Sequence, residues 1–128
     1  MYCYSRRMVR ILLVDDDDAL RSVLRRALER AGYMVFEAAD GRAALRVIAE
    51  GPVALVITDL VMPDMEGLEL IRSLRRSHPV LPVIVISGGT GPGMEDYLPV
   101  AKLLGAAHIL TKPFELPQLI DAVRSLVG

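Results

Sequence analysis

Val9-Arg-Ile-Leu-Leu-Val-Asp-Asp-Asp-Asp18 is the stretch on which the fold turns. Apart from Arg10 its first half is continuously apolar rather than alternating, as expected of a strand covered on both faces in a parallel sheet. Aspartates then end it abruptly. Outward from here the pattern recurs, with short apolar runs at Val9–Val14, roughly Tyr33–Glu37, Val53–Thr58, Pro82–Ile86 and His108–Leu110. Amphipathic stretches and breakers separate them, which is the signature of an α/β fold. Ala19, Leu20, Val23, Leu24, Ala27 and Leu28 have helical spacing and stop at Gly32, with Asp17 and Asp18 suited to the helix N-terminus. Asp40 can cap a second helix ending near Gly51-Pro52. A third runs from about Glu66 to Ser77 with Leu68, Leu70, Ile71 and Leu74 inward, and a fourth is expected over Glu95–Leu104. The last turns Leu116, Leu119, Ile120, Val123 and Val127 inward.

The 128 residues leave room for one domain and little else, so a separate output module is not expected. Fifteen basic and sixteen acidic residues give a net charge of −1, which offers no general attraction for nucleic acid or a membrane surface. Cys3 has no second cysteine to pair with, and Met1–Met8 lacks the apolar core of a secretory signal. No apolar run approaches the roughly 18 residues of a membrane span. The expectation is a soluble, cytoplasmic protein with a flexible segment at 1–8 and one domain over 9–128.

In open parallel sheets ligands bind outside the carboxyl ends of the strands. Asp15-Asp16-Asp17-Asp18 follow the first strand, Asp59 the third, Ser87 the fourth and Lys112-Pro113 the fifth. A dinucleotide or flavin site would place a glycine-rich phosphate cradle after the first strand, and aspartates there would repel a phosphate instead. Crowded carboxylates cannot all ionise cheaply without a cation, and oxygen-only donors favour a hard ion such as Mg2+. With the metal in place, a phosphoryl group can approach an aspartate. Lys112 offers a compact ammonium for a phosphoryl oxygen and Ser87 a hydroxyl.

These residues resemble the receiver domain of two-component response regulators, the CheY-like family, from about Val9 to Val127. The resemblance rests on Ile11-Leu-Leu-Val-Asp-Asp16, Asp59-Leu-Val-Met-Pro-Asp-Met-Glu-Gly67, Ser87-Gly88 and Lys112-Pro-Phe114. It implies a flavodoxin-like parallel sheet of order 2-1-3-4-5 with helices on both faces. It also implies that Asp59 accepts a phosphoryl group from a histidine kinase or histidine phosphotransfer protein, without a turnover reaction. Asp15 and Asp16 would hold Mg2+ together with Asp59 and the backbone carbonyl of Val61. Ser87 and Lys112 would grip the phosphoryl oxygens, and the Lys112–Pro113 bond would be cis. The signal would pass by contact to a downstream protein, with no binding of nucleic acid or membrane by this chain.

Two features depart from the family pattern. Ile109 stands three residues before the lysine, where receivers usually carry Tyr or Phe, and the stretch from Ser87 to Gly105 is about three residues longer than usual. The glycine-rich loop at 87–93 is therefore expected to carry the conformational response. Arg21, Arg25, Arg26 and Arg30 share one side of the first helix, read by default as a solvated face and otherwise as a docking surface for the histidine-bearing partner. His78 and His108 lack a partner constellation and are read as structural. Two rival functions stand beside the receiver. One is a haloacid-dehalogenase-type phosphatase with Asp15 as nucleophile, in which the Asp59–Gly67 motif has no place. The other is an interaction module independent of phosphorylation.

Overall fold

Strands β1 (Arg10–Val14), β2 (Met34–Ala38), β3 (Leu55–Asp59), β4 (Val83–Ser87) and β5 (His108–Thr111) form one parallel sheet in the order β2-β1-β3-β4-β5. The computed structural model describes residues 9–60, 66–88, 99, 102–103 and 105–128. Val61, the segment 1–8 and most of the loop at 87–93 lie outside them. Of the helix expected at 95–104, only residues 99, 102 and 103 are described, all in helical conformation.

Period-two alternation distributes each strand between two cores, which is why the runs read as continuously apolar. Leu12, Val14, Val56, Val83 and Val85 pack on one face with Ala44 and Ile48 of α2 (Gly41–Glu50) and Ile71 and Leu74 of α3 (Glu66–Ser77). Ile11, Leu13, Ile57, Ile84 and Ile86 pack on the other with Leu24 and Leu28 of α1 (Asp18–Arg30) and Leu119 and Val123 of α4 (Leu116–Val127). Each such Val, Leu or Ile side chain contributes roughly 1.5–3 kcal/mol when fully buried.

The helices start where short polar side chains can meet orphan backbone donors. Asp17 accepts from the N–H of Leu20 at 3.0 Å, and Asp40 accepts from that of Ala43 at 2.8 Å. Glu115 and Gln118 form a capping box before α4. Helix α1 ends at Ala31, and Gly32 follows with φ 101°, a conformation that favours glycine.

Two expectations need correction. Leu116, expected inward, is 37% exposed and does not face the core; Val23, at helical spacing with Leu24 and Leu28, is itself 51% exposed. Val23 lies at the margin of the apolar stripe, whose centre is taken by Leu24 and Leu28; Leu116 is the first residue of α4, where the helix has only begun to pass over the sheet. Strands β2 to β5 also reach one residue further toward their carboxyl ends than the apolar runs suggest. Asp59 and Ser87 thus belong to the ladder, paired in register with Ile86 and Thr111.

Candidate functional site

That extension ties the rim into the backbone ladder of the sheet. The backbone N–H of Asp15 donates to Ala38 at 3.1 Å, continuing the β1–β2 ladder past the last strand residue. The N–H of Leu60 donates to Ile86 and that of Lys112 to Ser87, both at 2.8 Å. Each polar residue at the sheet's end therefore departs from a hydrogen-bonded backbone. The Lys112–Pro113 peptide is cis. Gly67 has a plain steric role: a Cβ there would collide with the backbone carbonyl oxygens of Asp59 and Leu60, so α3 can start this close to the end of β3 only with glycine.

Asp15, Asp16 and Asp59 come together, each offering a carboxylate oxygen such that all lie within 4.8 Å of one another. Asp15 and Asp59 are buried and Asp16 is exposed. The Lys112 ammonium stands 3.7 Å from Asp59 Oδ2, an ion pair longer than a hydrogen bond. Ser87 is fully buried at the end of β4. Burial pushes the Asp15 carboxyl up to about 6; the hydrogen bond from the Asp17 N–H works against the rise, Asp59 adds to it, and Lys112 opposes it.

Among the described residues, two buried oxygens at this rim, Asp15 Oδ2 and Ser87 Oγ, have no hydrogen-bond partner. Buried polar atoms are usually paired, and those that are not mark strain or a ligand's place. An oxygen-only set with an orphaned carboxylate oxygen fits a hard divalent cation, and the donor chemistry suits Mg2+. The rim can thus hold a cation beside Asp59 and direct a hydroxyl and an ammonium at an anion bound there.

A different cluster lies behind the rim, and the sequence does not announce it. Arg21 and Arg25, read as part of a solvated face, converge on Glu37 of β2; Arg25 stays exposed while Arg21 is withdrawn from solvent. Burial disfavours the ionised Glu37, but hydrogen bonds from Arg25 and Arg21 outweigh it and hold the carboxyl below its ordinary value. Arg21 also contacts Asp18 and the Asp15 carbonyl. The one available signal was Glu37 itself, a charge inside an apolar strand. Arg26 and Arg30 stay exposed. His78 lies beside the Ser77 hydroxyl and His108 beside that of Ser125, both away from the rim. Ile109 packs against the core as a partly buried side chain.

Residues 11–124 match the family described as the response regulator receiver domain. The chain is 41% identical over 119 residues to the sensor kinase CckA of Brucella abortus, covering 91% of this chain and 12% of that protein. It is 36% identical over 120 residues to the response regulator receiver protein CpdR of the same organism, covering 94% and 98%. It therefore spans a small part of the kinase and nearly all of CpdR. Among solved structures, the chemotaxis protein CheY4 of Vibrio cholerae superposes with a TM-score of 0.81 at 30% identity, covering 93% of this chain and 98% of that one.

Proposed function

The chain belongs to the response regulator receiver domain family of two-component signalling, and on that premise we propose that Asp59 is its phosphoacceptor in an Mg2+-dependent transfer. The observation that carries this reading is the convergence of Asp15 and Asp16 on Asp59, with Lys112 3.7 Å from its carboxylate. A carboxylate oxygen of Asp59 forms a bond to phosphorus as the donor's N–P bond breaks, and the departing imidazole of a phosphohistidine takes a proton. The donor is a histidine kinase or a histidine phosphotransfer protein. Asp15, Asp16 and Asp59, with the backbone carbonyl of Val61, would hold Mg2+, which when bound neutralises charge on the transferring group. The Lys112 ammonium and the Ser87 hydroxyl each donate to a phosphoryl oxygen, giving Ser87 Oγ the partner it lacks among the described residues.

The α1 surface that carries exposed Val23 beside Arg26 and Arg30 is available to dock the donor. Arg21 and Arg25 are not part of it, because Glu37 already holds them. The phosphorylated state passes to a downstream protein by contact. Intact mass after incubation with acetyl phosphate and Mg2+ tests the assignment. One phosphoryl group should add to the wild type and none to Asp59→Asn, whereas addition to the mutant at Asp15 would favour a phosphatase-like nucleophile.

A further inference from the structure

Resting on the reading that the acidic rim binds a divalent cation, we infer that Arg21 is a positioning residue for that rim. Its guanidinium reaches three separate parts of the chain. Nη1 donates to the Asp15 carbonyl at 2.6 Å, Nε to Glu37 Oε1 on β2 at 2.9 Å, and Nη2 to Asp18 Oδ1 at 2.6 Å. The Arg21 side chain is only 15% exposed, so the guanidinium itself is embedded, although its partner Asp18 is 85% exposed.

The contact to Asp15 concerns the site. The carbonyl of residue 15 and the N–H of residue 16 belong to one planar peptide unit, so fixing that oxygen fixes the plane from which both side chains depart. Asp15 has other anchors, its N–H on Ala38 and its Oδ1 under the Asp17 N–H. Asp16 is exposed and takes its direction from this peptide plane. Glu37 is the fixed point against which the clamp works, because its backbone is held in β2 whether or not Arg25 is present.

Charge alone would make Arg21 unfavourable to a nearby cation. Its pairing with Glu37 and Asp18 offsets that charge, and the benefit is geometric. Arg21→Lys separates the two effects: it keeps the charge, but one ammonium on a flexible stem cannot serve three acceptors in three directions. The Kd for Mg2+ should then rise roughly tenfold, the lower end of the range for groups that orient metal ligands. Arg25→Ala provides the contrast, since it weakens the hold on Glu37 but leaves the Asp15 carbonyl bound.

The test is calorimetric titration of Mg2+ into the wild type, Arg21→Lys, Arg21→Gln and Arg25→Ala, with thermal unfolding in chelator on the same samples. Both Arg21 variants should bind Mg2+ more weakly, Arg21→Gln despite losing a repelling charge, while Arg25→Ala loses stability and keeps wild-type affinity. A folded Arg21→Lys protein with wild-type affinity would overturn the inference, and so would an Arg25→Ala protein weakened as much as Arg21→Lys. Should Arg21→Gln fail to fold, Arg21→Lys still decides. No binding by the wild type would instead overturn the cation reading beneath it.

Discussion

Two clusters of charge lie side by side at the carboxyl end of the sheet, and they are built in opposite ways. Around Glu37 the guanidinium groups of Arg21 and Arg25 meet carboxylates at hydrogen-bond contact, and Asp18 and Glu29 complete the set. At the rim, the carboxylates of Asp15, Asp16 and Asp59 gather near Lys112, whose ammonium is 3.7 Å from Asp59, while Asp15 Oδ2 and Ser87 Oγ are buried without partners among the described residues. Paired charges hold a fold together; unpaired buried oxygens cost stability that a ligand can restore. The contrast separates scaffold from site without reference to any relative.

Neutralising one carboxylate from each cluster should therefore move stability in opposite directions. Asp15 has a folded pKa of about 6 against an ordinary 3.8, so its stabilising contribution is present below pH 4 and lost as pH rises through about 6. Asp15→Asn should stabilise the metal-free protein at pH 7 by up to about 3 kcal/mol, at about 1.4 kcal/mol per pH unit. Urea unfolding in chelator at pH 5 and 7.5 checks this, since the gap between mutant and wild type should shrink at the lower pH. A mutant less stable than wild type at neutral pH would break the comparison.

Glu37→Gln should do the reverse, destabilising by about 1 kcal/mol at pH 7 because the pairs it breaks are partly screened. Its depressed pKa means the contribution is present above the ordinary carboxylate range and lost as pH falls through the folded value. The same unfolding series extended toward acid should show the mutant's deficit fading. Lys112→Ala should have the smallest effect on stability, under about 1 kcal/mol, because its ion pair is long and the side chain partly exposed. It should nevertheless slow phosphorylation, read as the rate of mass gain. A large loss of thermal stability in that mutant would make Lys112 part of the scaffold.

Much of the site was legible because it lies in local sequence. An apolar run ending in aspartates marks β1 and its rim, and Gly67 stands where α3 must pass close to β3. Arg21 was not legible, because its partner Glu37 lies on another element and helical spacing alone placed it on a solvated face. The exposure of Val23 has a related reason: periodicity gives the direction of an apolar stripe, while its width depends on the neighbours α1 packs against. Apolar runs stop one residue short of the strand ends because polar side chains can occupy ladder positions, as Asp59 and Ser87 do.

On the proposed reading, the rim is complete only when a cation fills it. Thermal unfolding of the wild type at pH 7.5 in saturating Mg2+ and in chelator tests this most directly. Ligand at about a hundred times its Kd should stabilise the native state by about 2.7 kcal/mol, seen as a higher Tm. That rise should be lost in a variant carrying both Asp15→Asn and Asp16→Asn. Coincident wild-type curves with and without Mg2+ would contradict the account.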